Sequence, residues 1–291
     1  MYDSIIVGGG PAGLTAAIYL RRANKKVLVL ESNACGGQIL KANNVENYPG
    51  IKSISGFDLS MNMMNQAMDL GAEIKYETVL KVDEDKTVYT NKNTYKAKSV
   101  IIAVGSKNRK LKMENEDKFI GKGISYCATC DGNFFKGKDV AVVGGGDTAL
   151  DDILYLSPIV NHVYSIVRGD SFKGETKELE EVKNNNVTIF YNSEITKIEG
   201  NDSLEKIIIN DKDEINVSGL FIAIGQEPNN HMFKNILEID ENGYIITIDE
   251  VKTKNKGIYV VGDARDKMLR QLTTAVSDGA LAATYAIKEM E

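Results

Sequence analysis

A short apolar strand that runs into a glycine-rich turn and then a helix occurs twice in this chain of 291 residues. The first copy is residues 4–7 with the turn 8–13, and the second is residues 140–143 with the turn 144–149. An apolar run that ends in glycine is typical of a buried parallel strand, and such a turn lets a phosphate group approach the backbone at a helix start. The sequence therefore predicts an α/β protein with two Rossmann-like dinucleotide-binding domains of the three-layer ββα type, related by duplication.

The first turn has the stronger signal. Gly8, Gly10 and Gly13 fit the pattern G-x-G-x-x-G, and the next strand ends at Glu31. In this pattern the glycines allow the tight turn, the approach of the phosphate and close packing of helix on strand, while the acid accepts hydrogen bonds from the adenosine ribose. We therefore expect a dinucleotide at this site.

Composition limits the class of protein. Hydrophobic residues make up 43% and charged residues 26% of the chain, as in soluble globular proteins, and no apolar run is long enough to span a bilayer. Residues 1–4 lead straight into a strand without a basic and apolar leader, which predicts a cytoplasmic protein. The net charge of −6 argues against nucleic acid as the main partner.

A pair of cysteines, Cys127 and Cys130, precedes Asp131 between the two glycine turns. In a cytoplasmic protein, a C-x-x-C pair is more often redox-active than a structural staple. A metal site needs further ligands, and only Cys35 and two histidines that are distant in sequence remain, so we predict no metal. We expect Cys35 to be a buried small apolar residue near the cofactor.

Two further strand ends carry glycine. Residues 99–104 form an apolar run that ends at Gly105, and another apolar run ends at Gly262 and Asp263 just before the last helix. We expect Asp263 to accept a hydrogen bond from a sugar-chain hydroxyl of a flavin, and the start of the last helix, near residues 270–272, to donate to it.

Together these motifs resemble those of the low-molecular-weight, flavin-containing thioredoxin reductases. The matching stretches are residues 7–20, 36–38, 45–50, 127–132, 142–156 and 262–275. The resemblance implies a discontinuous FAD-binding domain (1–109 and 238–291), a middle domain of pyridine-nucleotide type (110–237) that carries the cysteines, a homodimer, and thioredoxin as partner.

The resemblance also implies the roles of individual residues. Cys130 is expected to be the flavin-side cysteine, Cys127 the cysteine that exchanges with thioredoxin, and Asp131 the proton donor. The residues expected to bind FAD are Gly8, Gly10, Pro11, Ala12, Gly13, Glu31, Ser32, Gly36, Gly37, Gln38, Asn47, Val79, Ala103, Gly105, Gly262, Asp263, Arg270, Gln271 and Leu272.

The chain departs from the family where NADPH binds. The usual reductases carry H-R-R-x-x-x-R there, whose basic groups hold the 2′-phosphate. Here Val167 replaces the histidine, Gly169 replaces one arginine, Lys173 replaces the last one, and Asp170 adds a negative charge. Each lost charge-assisted contact costs roughly 1.5–3 kcal/mol, which makes NADPH doubtful as a donor.

A degraded nicotinamide site beside an intact dithiol is similar to the ferredoxin-dependent flavin thioredoxin reductases. We therefore expect reduced ferredoxin as the donor, with the basic residues 107–112 as a docking surface for this acidic protein. An NADPH-dependent thioredoxin reductase and a non-catalytic flavin–dithiol redox sensor stay open. A ferredoxin–NADP reductase lacks the dithiol, and the flavin subunit of alkyl hydroperoxide reductase has an extra N-terminal redox domain, so we disfavour both.

Overall fold

The computed structural model describes residues 1–42, 44–173, 176–183 and 186–291. The strands are β1 (Tyr2–Val7), β2 (Val27–Glu31), β3 (Glu73–Tyr76), β4 (Val79–Val82), β5 (Thr87–Thr90), β6 (Thr94–Ile102), β7 (Ser106–Asn108), β8 (Ile124–Ser125), β9 (Asp139–Val143), β10 (His162–Ile166), β11 (Val187–Phe190), β12 (Ile195–Glu199), β13 (Lys206–Ile209), β14 (Asp213–Asn216), β15 (Gly219–Ile222), β16 (Gln226–Pro228) and β17 (Ile258–Val260). The α-helices are α1 (Pro11–Arg22), α2 (Gly56–Asp69), α3 (Glu116–Phe119), α4 (Ala128–Asp131), α5 (Asp147–Leu156), α6 (Thr176–Lys183) and α7 (Leu272–Met290).

The chain divides into two compact units. The first comprises Met1–Lys107 and Glu227–Glu291, and the second comprises Asn108–Gln226. Each unit contains a parallel sheet, an antiparallel meander and a helix that follows a glycine turn. The predicted α/β class with two Rossmann-like domains is thereby confirmed.

In the first unit, the parallel strands lie in the order β3-β2-β1-β6-β17. The meander β4-β5-β6 extends from the same sheet with antiparallel pairing. Helices α1 and α7 pack so closely that a Cβ on Gly279 would lie 2.2 Å from the carbonyl oxygen of Ala12. Only a residue without a side chain allows these two helix backbones to approach so closely.

The second unit repeats this plan. Its parallel strands lie in the order β11-β10-β9-β15-β8, and β12-β13-β14 form an antiparallel meander. Strand β8 takes the place that β17 has in the first unit, although β8 precedes the glycine turn of its unit in the chain and β17 follows that of its own.

Helix α1 shows why the sequence folds locally in this way. Pro11 stands at the first helical position, where its missing N–H leaves no bond unmade, and Arg21 and Arg22 complement the negative end of the helix dipole. Leu14 and Leu20 are completely buried. Each contributes about 1.5–3 kcal/mol from burial, and truncating Leu14 to alanine would cost about 2–5 kcal/mol.

The boundaries between the units differ from those expected from the sequence. Residues 227–237, expected in the middle domain, belong to the first unit. Phe233 and Leu237 are buried in the apolar core of that unit, so burial of their side chains decides the boundary. At the other boundary, Arg109 belongs to the second unit, where its N–H donates to the carbonyl oxygen of Gly225 at 3.1 Å.

None of the helices in the described ranges combines the length and apolar character that crossing a bilayer requires. Helix α7 is the longest of them at 19 residues, and it carries Asp278, Lys288 and Glu289. The described side chains of histidine, cysteine, aspartate and glutamate also form no group of three with metal-binding geometry.

Candidate active site

The first glycine turn leaves open space at the start of α1. Gly8 has a φ of +109°, and a Cβ there would lie 2.3 Å from the carbonyl oxygen of Ala103. A Cβ on Gly13 would lie 2.0 Å from the carbonyl oxygen of Gly8, whereas one on Gly10 would meet none of the described atoms within 4 Å. The backbone is therefore tight on its protein side and accessible on the side from which a pyrophosphate would approach.

Glu31 lies at the end of β2 beside this turn. One carboxylate oxygen accepts a hydrogen bond from the Gly9 N–H at 2.7 Å, and the other accepts from the Ser32 hydroxyl at 3.2 Å. The N–H of Glu77 donates to the Glu31 carbonyl oxygen at 2.9 Å, and the buried Val79 follows two residues later. Glu31, Ser32 and Val79, three of the residues expected to bind FAD, thus lie at the carboxyl edge of the sheet.

The loop at residues 36–38 closes on the same turn. The N–H of Gly36 donates to the carbonyl oxygen of Gly9 at 2.8 Å. The side-chain amide of Gln38 donates to the carbonyl oxygen of Ser106 at 2.7 Å, directly after Gly105. Both ends of the loop are therefore held where the parallel strands end.

Cys35 is buried, with 5% of its surface exposed, as expected. Its sulfur would lie 2.8 Å from a Cβ on Gly9, so it packs on the glycine turn. Burial, and then the nearby carboxylate of Glu31, raise the pKa of this thiol to about 11. At neutral pH it is therefore a thiol and a poor nucleophile.

Asp263 and Arg270 present unsatisfied polar atoms. Asp263 Oδ1 and Arg270 Nε are buried and have no hydrogen-bond partner among the described residues. Burial raises the pKa of Asp263, and the positive charges of Lys267 and Arg270 oppose that rise. Buried polar atoms almost always have a partner, and the sugar-chain hydroxyls of a flavin can supply one. These atoms and the open glycine turn fit FAD.

The start of α7 completes this region. Gln271 caps the helix together with Thr274, and the Asn47 side-chain amide donates to Gln271 Oε1 at 3.2 Å. Leu272 begins the helix, and Gly262 opens the short 3-10 turn that contains Asp263. All nineteen residues expected to bind FAD belong to the first unit.

Sequence reasoning missed Asp278 on α7, of which 3% is exposed. Its carboxylate accepts from the Gly262 N–H at 2.9 Å and from the side chains of Arg265 and Lys267 at 3.0 Å. Burial raises the pKa of Asp278, but the two cations outweigh that effect and hold it below its ordinary value. The signal that the sequence offered was an acid within α7 that is flanked by the small residues Ser277 and Gly279.

The second glycine turn has the same form as the first. Gly144 has a φ of +156°, and a Cβ there would lie 2.3 Å from the Ala223 carbonyl oxygen. A Cβ on Gly146, which precedes α5, would meet no described atom within 4 Å. The Lys173 N–H donates to the Gly145 carbonyl oxygen at 2.7 Å, which brings the segment after β10 to this turn.

The segment after β10 has mixed charge, as its sequence indicates. Val167 is 1% exposed and part of the core, so its side chain cannot contact a nucleotide. Arg168, Asp170 and Lys173 are exposed, and the Ser171 hydroxyl donates to Asp170 Oδ1 at 2.9 Å. Two cations and one acid are therefore available beside the turn.

Cys127 and Cys130 form a disulfide in the second unit, with their Cα atoms 5.3 Å apart. Cys127 is half-buried and precedes the short helix α4, whereas Cys130 is exposed. The Cys127 sulfur lies 3.4 Å from the Thr129 hydroxyl oxygen. The bond is thus open to chemistry from solvent or from a partner.

Asp131 lies directly beside this disulfide. Burial raises the pKa of its carboxyl group, and a hydrogen bond from Ser125 opposes the rise. The Ser125 hydroxyl donates to Asp131 Oδ2 at 2.6 Å and accepts from the Cys127 N–H at 3.1 Å. Sequence reasoning did not single out Ser125, whose only signal is its place two residues before the first cysteine.

A second acid approaches the disulfide from α5. The Asp152 carboxyl lies near the N–H of Ala128, the residue that follows Cys127, and this polar contact opposes the rise of its pKa. Burial, and then the charge of Asp151, raise the pKa of Asp152 to about 7. This acid was also missed, because its distance in sequence from the cysteines gives no hint of the contact.

Two dinucleotide-type units, one of them with a disulfide on a C-x-x-C turn beside a partly buried acid, define a disulfide oxidoreductase. A family model described as "Pyridine nucleotide-disulphide oxidoreductase" matches residues 2–279. The thioredoxin reductase of Borreliella burgdorferi is 45% identical over 291 residues, which cover 96% of this chain and 89% of that protein.

Solved structures of thioredoxin reductases are also similar to this chain. The thioredoxin reductase of Streptococcus pyogenes is 38% identical with a TM-score of 0.95, covering 100% of this chain and 98% of its own. That of Giardia duodenalis is 35% identical with a TM-score of 0.93, covering 99% and 98%. The chain belongs to the pyridine nucleotide-disulphide oxidoreductase family and, within it, to the low-molecular-weight thioredoxin reductases.

Proposed function

We propose that this chain is an FAD-dependent thioredoxin-disulfide reductase that uses the Cys127–Cys130 pair. The observation that carries the proposal is the disulfide on an accessible turn with the partly buried Asp131 beside it. Burial raises the pKa of this acid and so favours its protonated form, which can give its proton to a cysteine sulfur when the disulfide opens. The membership of the chain in the thioredoxin reductases supports thioredoxin as the partner.

The proposed reaction reduces the Cys127–Cys130 disulfide and then passes the electrons to thioredoxin in two thiol–disulfide exchange steps. Two electrons and two protons convert the Cys127–Cys130 disulfide into two thiols. The thiolate of one cysteine then attacks the thioredoxin disulfide to form a mixed disulfide, and the other cysteine displaces the reduced thioredoxin. We assign the attack on thioredoxin to Cys127, the flavin-side role to Cys130 and the proton donation to Asp131.

FAD supplies a carrier of two electrons when it is bound. We propose that Gly8, Gly10 and Gly13 receive its pyrophosphate, Glu31 its ribose, and Asp263 its sugar chain. The unpaired Asp263 Oδ1 and the open space before Gly10 support this assignment. The other residues proposed to contact FAD are Pro11, Ala12, Ser32, Gly36, Gly37, Gln38, Asn47, Val79, Ala103, Gly105, Gly262, Arg270, Gln271 and Leu272.

The electron donor that we propose is a reduced pyridine nucleotide bound at the turn 144–149. The comparisons favour this alternative over ferredoxin, because the matching family is defined by pyridine nucleotides and the similar proteins are named as thioredoxin reductases. The turn supports it as well, since Gly144 packs tightly on the protein side, as Gly8 does, and Gly146 leaves open space before α5, as Gly10 does before α1.

The basic residues 107–112 give weak support to ferredoxin as the donor. Lys110 forms an ion pair with Asp117. Glu116 accepts hydrogen bonds from the backbone N–H groups of Leu111 and Lys112. Both acids reduce the positive potential that an acidic partner would need.

We further propose that the protein is a cytoplasmic homodimer. A disulfide that cycles is suited to a reducing compartment. The first unit exposes large apolar side chains on α1 and α2, namely Tyr19, Phe57 and Met68, as an interface between subunits would require. Sedimentation of the purified protein at twice the monomer mass is the expected result.

Anaerobic mixing of the flavin-loaded protein with separate donors tests the proposed function. NADPH, NADH and reduced ferredoxin are each added, and the visible flavin band and the thiols of thioredoxin are followed. Bleaching by a nicotinamide, followed by thioredoxin reduction, is expected. Bleaching by ferredoxin alone would restore the ferredoxin-dependent interpretation, and bleaching without turnover of thioredoxin would favour the redox sensor.

A further inference from the structure

Ser125 connects the disulfide turn to the acid beside it. Its hydroxyl oxygen lies 2.6 Å from Asp131 Oδ2 and 3.1 Å from the Cys127 nitrogen, and the residue is 5% exposed. The Cys127 carbonyl oxygen lies farther away, at 3.3 Å. A hydroxyl has one proton to donate, and the carboxylate is the nearer and more strongly accepting group.

We propose that Ser125 is a positioning residue that holds the Asp131 carboxyl against the Cys127–Cys130 turn as its proton donor. The inference rests on the proposed reductase function. The buried Ser125 hydroxyl donates one hydrogen bond to the Asp131 carboxyl group and accepts another from the Cys127 N–H. Together these bonds fix the distance between the carboxyl group and the backbone of Cys127. Among the described residues, Ser125 is the one that hydrogen-bonds the Asp131 carboxyl group, so its loss leaves that side chain without this anchor.

The Ser125 hydroxyl would act at the step in which Asp131 releases its proton. As the disulfide takes up two electrons from the reduced donor, Asp131 gives one proton to a cysteine sulfur and becomes a carboxylate. Solvent supplies the second proton and later reprotonates the acid. The Ser125 hydroxyl stabilises the carboxylate, since a hydrogen bond to the charged form favours that form. Its loss therefore makes proton release harder.

Other titratable groups surround this acid. Cys127 and Cys130 lie on the same turn, and Asp152 and Tyr155 lie on α5, which packs against α4. Tyr155 borders Gly132, where a Cβ would lie 3.2 Å from its ring. Any pH dependence of turnover therefore contains the titration of Asp152, and the test has to observe Asp131 itself.

Infrared difference titration of protein labelled with 13C-aspartate observes that carboxyl group. The band of the protonated acid that disappears in Asp131→Asn identifies Asp131. In Ser125→Ala its midpoint should move to higher pH, in the natural background and in Asp152→Asn alike. Ser125→Thr, which keeps the hydroxyl, should return the midpoint toward that of the natural protein. An unchanged midpoint in Ser125→Ala would overturn the proposal.

Ser165→Ala is the matched control. Ser165 is fully buried in the same unit, and its hydroxyl has no hydrogen-bond partner within the described part of the chain. This substitution removes the same atom without touching Asp131, so the Asp131 midpoint should stay where it is. A shift of equal size in the control would assign the effect to packing and overturn the proposal.

A measurement on the natural protein covers the case in which Ser125→Ala does not fold. In protein labelled with 15N-cysteine, the amide resonance of Cys127 should titrate with the midpoint of Asp131, because Ser125 joins the two groups. That titration should vanish in Asp131→Asn. A Cys127 amide that does not respond to the ionisation of Asp131 would overturn the proposal.

Turnover is the last readout. Ser125→Ala should reduce thioredoxin at least tenfold more slowly at pH 8, since a misplaced general acid loses much of its effect. If the natural protein reduces no thioredoxin with any donor, the proposed function fails. The infrared and amide titrations would still decide whether Ser125 positions Asp131.

Discussion

The carboxyl group of Asp152 lies near the N–H of Ala128, the residue that follows Cys127. The contact joins the helix that starts at the second glycine turn to the turn that carries the disulfide. Because the acid is partly buried there, its pKa in the folded state is about 7, whereas an aspartate in an unfolded chain has a pKa of about 3.9.

Asp152 should make the protein less stable as the pH rises from about 4 to about 7. The folded state binds the proton more tightly than the unfolded state, so its advantage is complete below pH 4 and is lost through the folded pKa. We expect Asp152→Asn to flatten this decline and to be more stable at pH 8. The gain is at most about 4 kcal/mol, and less after solvent screening.

Chemical denaturation of both proteins across this pH range measures the difference. An exposed acid on the loop between β12 and β13 offers a control, Asp202→Asn, which should change the slope much less. Parallel stability curves for the natural protein and Asp152→Asn would show that Asp152 ionises normally.

Asp278 should be essential for the FAD site. In Asp278→Asn, the mostly buried side chains of Lys267 and Arg265 lose their charge partner, which costs up to about 3–5 kcal/mol. Thermal unfolding should occur at a lower temperature, and FAD should dissociate more readily, because Asp278 also binds the N–H of Gly262.

The stabilisation that Asp278 provides should also disappear as the pH falls below about 4, since the pKa of this acid is lowered in the folded state.

Asp249→Asn is a suitable control for that change. Asp249 forms an exposed ion pair with Lys252, and such pairs contribute at most about 1 kcal/mol. Equal losses of stability and FAD in the two variants would contradict a special role for Asp278.

Gly169→Arg should improve the use of NADPH. The position is exposed, and a Cβ there would have ordinary contacts, the nearest to the Ser171 carbonyl oxygen at 3.4 Å. One added charge-assisted contact to the 2′-phosphate is worth about 1.5–3 kcal/mol, which corresponds to a tenfold or greater fall in the KM for NADPH. Steady-state kinetics with NADPH and NADH would show this as an effect on NADPH alone.

An arginine elsewhere on the same unit serves as the comparison. Ser203→Arg adds the same charge on the loop between β12 and β13 and should leave both KM values unchanged. An equal improvement in this variant would mean that net charge, and not the position beside the turn, governs nucleotide binding.

Replacing either active cysteine should separate flavin binding from disulfide reduction. Cys127→Ser and Cys130→Ser should retain FAD, whose proposed site lies in the other unit, and should lose thioredoxin reduction. Visible spectra and turnover measure the two properties.

Cys35→Ala is the control for this pair. Its thiol is buried, and its pKa of about 11 keeps it protonated, so turnover should persist. Turnover that survives in Cys130→Ser, or is lost in Cys35→Ala, would remove the proposed dithiol mechanism.

Much of this protein follows from its sequence alone. The glycine turns, the apolar runs before them and the C-x-x-C pair are local patterns, and local backbone chemistry fixes what they form. The predicted class of fold and the burial of Cys35 follow from such patterns.

The tertiary structure decided what depends on contacts between distant residues. The first unit resumes at residue 227 and not at the expected residue 238. Phe233 and Leu237 belong to it because their side chains are buried in its core, which their position in the chain does not reveal. The acids Asp152 and Asp278 acquire their partners only when helices pack on loops that are remote in sequence. Burial and proximity set the pKa of such groups, and neither quantity is encoded in a local pattern.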